Sequence, residues 1–151
     1  MSQPITLIVR DPKENPKKCS ILPLRGRADI QIFTYPPEDL PPLDDYLRLA
    51  GDVDCPVLST ADRERGILVL DGSWRSVGKM SAHFAHVSPR RLSGWKTAYP
   101  RVSKLGSDPA EGLASLEALY LAYHILGRPT DGLLDHYRWA AHFIELNALP
   151  G

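Results

Sequence analysis

The stretch "RGILVLDGSW", residues 65–74, constrains the fold more than any other part of the chain. Ile67 to Leu70 form an unbroken apolar run bounded by Gly66 on one side and by Asp71 and Gly72 on the other. A strand with one wet face alternates apolar and polar side chains, whereas an unbroken run fits a strand covered on both faces. "ITLIV" at residues 5–9 has the same character. Two such strands predict a parallel sheet flanked by helices, hence an α/β fold. "IQIF" at 30–33 and "CPVLS" at 55–59 are further strand candidates. Between them, "YPPEDLPPLDDYLRLAG" is punctuated by prolines, which predicts a loop and then a short helix from Leu43 to Ala50, stopped by Gly51.

The second half changes character: after "SPRRLSGWKTAYPRVSKLGSDPAEG", residues 88–112, come two helical patterns and no convincing strand. In "LASLEALYLAYHILG", from Leu113 to Gly127, only Ser115, Glu117, His124 and the tyrosine hydroxyls are polar, which predicts a helix buried on most sides. Gly127 and Pro129 end it, and Thr130 or Asp131 caps a second helix, "LLDHYRWAAHFIEL". Leu133, Tyr137, Ala140 and Ile144 make its apolar stripe. The chain therefore reads as an α/β lobe over 1–88 and a mainly α-helical lobe over 89–151, joined as one unit.

With 151 residues, 43% of them hydrophobic, the chain has material for a real core. Cys19 and Cys55 form no Cys-x-x-Cys pair, so neither a zinc site nor a disulfide framework is signalled, and a cytoplasmic setting is expected. The opening residues carry no apolar signal core and no apolar run reaches membrane-spanning length, so no membrane association is expected. A monomer is the favoured state. Lys plus Arg and Asp plus Glu number 18 each, but they are unevenly placed. Asp29 to Glu64 is dominated by acids, whereas Arg75 to Lys104 contains no acid at all. If that stretch folds onto one face with the basic residues Arg10, Lys13, Lys17, Lys18, Arg25 and Arg27, it presents a phosphate-attracting surface; the alternative is an ordinary solvated charged face.

Ligands of parallel sheets bind outside the carboxyl ends of the strands, which makes Asp71 a candidate functional residue. Its structural alternative is to cap a helix beginning near Trp74, a task Ser73 can share. Trp74 is either a core aromatic or the wall of a pocket. Glu117 lies in a helix too apolar to solvate it and needs a partner, whether an ion pair or a ligand. His83 and His86 lack a placed carboxylate, so no metal is expected. No Gly-x-Ser-x-Gly, Walker A or Gly-x-Gly-x-x-Gly motif occurs, which removes the usual support for hydrolase and dinucleotide-binding readings.

"LVLDGSWRSVGKM" resembles the signature of the DTW-domain superfamily, named for its Asp-Thr-Trp motif, with Ser73 standing where Thr is commoner. "DPKENPKKCSI" at 11–21 resembles the Asp-Pro-Lys-Lys-Cys-Ser/Thr segment of the ribosomal RNA branch. "LASLEALYLAYHILG" is similar to the Leu-Ser-x-x-Glu-Ala helix that the branches share. The resemblance implies a SPOUT-like, trefoil-knotted α/β enzyme that uses S-adenosylmethionine. It would transfer the 3-amino-3-carboxypropyl group to a ring nitrogen of uridine or pseudouridine in rRNA or tRNA, releasing methylthioadenosine. It implies catalytic positions at Asp71 and Trp74, with Asp71 either taking the imino proton or positioning the base, or else gripping the amino group of the cofactor, and a cofactor pocket drawn from Ser20, Leu70, Leu92, Leu113, Ser115 and Glu117. Arg75, Lys79, Arg90, Arg91, Lys96 and Arg101 would meet the RNA backbone, with Trp95 or Tyr99 available for base stacking. The cysteine-rich start of many tRNA-modifying members is missing, and "TAYPRVSKLGSDPAEG" replaces the Asn-Pro-Val-Asn-Tyr-Gly loop of the ribosomal branch, which leaves both RNA classes open.

Two other classes compete. A strand-end Asp-Gly also suits a phosphotransferase of the haloacid-dehalogenase type, but that chemistry needs a second Asp where this chain has Ser73. A non-catalytic RNA-binding or ribosome-biogenesis protein with a decayed pocket is the other alternative, and affinity for S-adenosylmethionine separates it from the transferase.

Overall fold

The two continuous apolar runs are interior strands of one sheet. The computed structural model describes residues 4–13, 21–50, 54–98 and 113–150. In it β1 (Thr6–Arg10), β2 (Ile30–Thr34), β3 (Tyr46–Leu49), β4 (Gly66–Asp71) and β5 (Ser88–Arg90) pair in the order β2-β1-β4-β3-β5. Every pairing is parallel, so the chain has an α/β fold. All of β1 is buried, as is β4 up to Asp71, which is what the two-sided apolar runs require.

Side chains alternate between the two faces. Leu7, Val9, Leu68, Leu70 and Tyr46 pack with Met80 and Phe84, the latter just past helix α1 (Trp74–His83). Ile8, Ile67, Val69 and Leu47 pack on the opposite face with Leu116, Leu119 and Tyr123 of α2 (Ser115–Leu126), and with Phe143 of α3 (Ala140–Leu146). Helix α2 shares one buried cluster with β1 and β4.

Polar contacts fix the direction of α2. Near its end the Tyr123 hydroxyl donates to Asp29 Oδ2 at 3.1 Å and lies 2.8 Å from Thr6 Oγ1, at the start of β1. Gly127 closes the helix in the left-handed conformation, and Arg128 then donates through Nη2 to the carbonyls of Arg63 and Arg65, just ahead of β4. Thus α2 runs antiparallel to the strands, and its amino end lies at their carboxyl edge.

Three local expectations are corrected. The helix expected over Leu43–Ala50 is strand β3 instead, because Tyr46–Arg48 pair with Gly66–Leu68 of β4 and Leu47 is fully buried there. Tertiary pairing outweighs the local pattern. "CPVLS" contributes only an isolated parallel bridge, Val57 to Arg91. Strand β5 is disguised in the sequence by Pro89; the sheet tolerates a proline there because β5 is an edge strand. The helix expected from Leu133 begins only at Ala140. Bonds from Leu133 to Thr130, Asp135 to Gly132 and Tyr137 to Leu134 instead close tight turns that still bury Leu133 and Tyr137.

Two stability outcomes follow. A Cβ at Gly66 would lie 2.5 Å from Cε2 of its cross-strand neighbour Tyr46, so Gly66→Ala should cost about 1–3 kcal/mol in urea unfolding. The bidentate hydrogen bond from Arg27 lowers the Asp29 pKa, so this pair stabilises the fold above the ordinary carboxylate range and the contribution fades as pH falls through the lowered value. Asp29→Asn should therefore be less stable than wild type at neutral pH, by about 1 kcal/mol or less for so exposed a pair, with the difference closing in thermal melts as pH falls through the lowered value.

Candidate active site

The connections of β1 and β4 leave the sheet in opposite senses. In the connection from β1 to β2, Ile21 and Leu24 are buried on the α2 face, and β2 lies on one side of β1. From β4 the chain passes through α1 on the other face and returns as β5 beyond β3. Adjacent parallel strands whose connections diverge leave a crevice at their carboxyl ends, the usual ligand position of such sheets. Arg10 and Asp71, the last residues of β1 and β4, lie side by side in register at this point.

Asp71 shares the face of Ile67 and Val69, toward α2. Its Oδ2 lies 3.8 Å from Arg10 Nε, with side-chain exposures of 15% and 8%, so the two charges face each other largely out of water. Arg10 is therefore not part of an exposed basic surface. Asp11 is also buried, donates its N–H to the Asp71 carbonyl at 2.8 Å, and accepts from the Lys13 N–H through Oδ1 at 3.0 Å. A hydrogen bond with the Ser76 side chain, then that from Lys13, holds the Asp11 pKa below its ordinary value. A Cβ at Gly72 would lie 3.0 Å from Asp11 Cβ, which explains why glycine follows Asp71. Ser73, not Asp71, caps α1: its Oγ accepts from the Ser76 N–H at 3.2 Å. Asp71 is thereby released from the capping role.

Leu92, Leu113, Ser115 and Glu117 lie on the α2 side, where Leu92, Trp95, Ala98 and Leu113 pack against the large cluster. Glu117 is fully buried and makes no ion pair among the described residues. Its Oε1 accepts from Thr97 Oγ1 at 2.6 Å and the Ala114 N–H at 2.9 Å, and its Oε2 accepts from the Ala98 N–H at 2.8 Å. The carboxylate thus sews residues 97–98 to the start of α2. Leu70 is separate from this group, since it points into the α1-side core.

Among the positions assigned to RNA, Arg75, Lys79 and Lys96 are exposed. Arg90 approaches Asp62 at 3.5 Å and Arg91 donates to the Cys55 carbonyl at 3.0 Å, so both guanidinium groups are engaged in the fold. Trp74 opens α1, but its side chain, together with Ser20, Tyr99 and Arg101, lies outside the described residues. Clefts of about 250 and 320 Å³ open at the amino edge, beside Tyr46 and His86 and beside Asp29 and Arg128, and neither includes a residue assigned to the reaction. Among the described residues no group of three or more His, Cys, Asp or Glu side chains converges as a metal site would, and no helix is long and apolar enough to cross a membrane. Sequence reasoning missed Arg10 and Asp11 as site residues, although both close a strand whose apolar run was legible.

Removing the Glu117 acceptor takes away the partner of the Ala98 and Ala114 N–H groups, so Glu117→Ala should destabilise the protein by about 2 kcal/mol or more in chemical unfolding. The amides of Ala98 and Ala114 should lose hydrogen-exchange protection first.

Similarity to known proteins is structural. No protein-family model matches the chain, and no curated protein matches it in sequence. The solved structure of Tsr3 from Vulcanisaeta distributa, an SAM-dependent rRNA:acp-transferase, superposes with a TM-score of 0.72 and 25% identity, covering 97% of this chain and 80% of its own.

Proposed function

We propose that the protein is an S-adenosylmethionine-dependent aminocarboxypropyltransferase that modifies a uridine or pseudouridine of rRNA in the cytoplasm. One observation carries the reading: the likeness to an SAM-dependent rRNA:acp-transferase extends over 97% of the chain. The SPOUT-like, knotted topology implied by the sequence resemblance belongs to the same reading. S-Adenosylmethionine, when bound, supplies an activated carbon: a ring nitrogen attacks it, its bond to sulfur breaks, the electron pair stays on sulfur to leave neutral methylthioadenosine, and the nitrogen's proton departs.

The described residues suit such a donor. Leu92, Trp95 and Leu113 offer apolar contact for the adenosine and the methyl group, next to the amino end of α2 with Ser115. The Arg10–Asp71 pair offers charge for the amino-acid end. Trp74 follows Asp71 closely enough in sequence to wall the reacting group. Glu117 acts by fixing residues 97–98, and Leu70 by supporting β4 from the other face.

Helix α1 suits a polyanion. Arg75 and Lys79 are like charges one turn apart, Arg75 sits in the first turn where a cation opposes the helix dipole, and α1 contains no acid. Each of these arrangements costs a few tenths of a kcal/mol in an isolated helix, and an RNA backbone would offset both.

The decisive experiment uses S-adenosylmethionine labelled at its carboxyl carbon, with rRNA from cells lacking the gene. The expected result is label in rRNA and release of methylthioadenosine. Cofactor binding without label in any RNA would overturn the transfer, and no binding at all would favour the non-catalytic RNA binder. Replacing Arg75 and Lys79 by Ala should weaken rRNA binding without sequence preference and reduce the logarithmic salt slope by about 0.7–0.9 per residue.

A further inference from the structure

Arg10 is the residue that the site adds to the sequence reading. It is 7% exposed, occupies the last position of an interior strand and is paired in register with Asp71. Both side chains project toward α2, the side on which Leu92, Leu113 and Ser115 stand. The other carboxylate of the edge, Asp11, accepts from the Lys13 N–H. We propose that Arg10 is a positioning residue: it holds Asp71 as a fixed negative charge toward the aminocarboxypropyl arm of the donor, where Asp71 receives the arm's α-ammonium group and does not take the proton of the RNA base. This assignment rests on the donor reading above.

The argument is electrostatic. A general base must become neutral when it accepts its proton, and neutralising Asp71 would remove a charge that stands 3.8 Å from a buried guanidinium. Binding an ammonium group keeps that charge in place. The 3.8 Å separation exceeds a hydrogen bond, so Arg10 Nε acts on Oδ2 through charge and not through a shared proton. The imino proton of the acceptor base then leaves to solvent or to a group of the RNA.

Methylthioadenosine provides the test, because it keeps the adenosine and the thioether but lacks the aminocarboxypropyl arm. Calorimetric titrations of the full chain with S-adenosylmethionine and with methylthioadenosine should distinguish wild type from Arg10→Met, Arg10→Lys and Asp71→Asn. Arg10→Met and Asp71→Asn should each weaken S-adenosylmethionine about tenfold or more while leaving methylthioadenosine within about twofold. Arg10→Lys, which keeps the charge and most of the stem, should recover a large part of the loss and remain folded even where Arg10→Met does not. The double variant Arg10→Met with Asp71→Asn should lose no more than the worse single variant. Equal weakening of both ligands in Arg10→Lys and Asp71→Asn, or no weakening of either, would overturn the assignment while leaving the donor reading intact. Failure of the wild-type chain to bind S-adenosylmethionine would overturn the donor reading and this assignment together.

Discussion

The common direction of the five strands is the constraint on which the remaining structure depends. Parallel pairing gathers all the carboxyl ends at one edge, so residues distant in sequence, from Arg10 to Arg90, end at the same side of the sheet. It also forces each return connection over a face, which is why β1 and β4 must be apolar throughout and are covered by different elements on their two sides. The crevice between them is a consequence of topology before it is a matter of side chains. Arg10 and Asp71 acquire their seclusion because both strands that carry them are interior.

Helix α2 is secured at its two ends by different chemistry. At the carboxyl edge a side-chain acceptor, Glu117, receives donors from a loop and from the helix start. At the amino edge a neutral hydroxyl is used: burial pushes the Tyr123 pKa up to about 12, so the phenol keeps its proton and donates it to Asp29. The Thr6 hydroxyl must then be the donor toward Tyr123. A helix as apolar as α2 has little else to fix its position along the sheet, since apolar contacts alone permit sliding. The two polar anchors define its register, and with it the position of Leu113 and Ser115 at the edge.

The sequence was most legible where one element satisfies its own requirement. Ile67 to Leu70, the long apolar run of α2 and its Gly127 stop are recognisable because their burial or conformation leaves a local trace. Tyr46–Leu49 left none: the segment alternates no more clearly as a strand than as a helix, and only pairing with β4 and β5 decides it. Residues 133–139 carry helical spacing yet form turns, because Gly132, at φ +81°, starts a tighter path that buries the same leucine and tyrosine. At the site, Asp71 was visible as a strand-end acid, whereas Arg10 looked like one of several basic residues near the start. What distinguishes it is the identity of its neighbour across the sheet, a property of register that spacing along the chain does not encode.

The outer side of β5 has a further meaning. Arg90 accepts the Ala50 N–H, so its peptide groups face β3, and by alternation those of Pro89 face outward, where the proline ring supplies no donor. Directly beyond, Arg91 donates to Pro56 and accepts from Leu58, so the next outward groups are already taken. A foreign strand arriving at this edge finds no ladder to continue. Sheet growth by addition of another chain is thereby blocked on this flank, and the short, proline-bearing strand that sequence patterning overlooks is the element that keeps the sheet from serving as a template for aggregation.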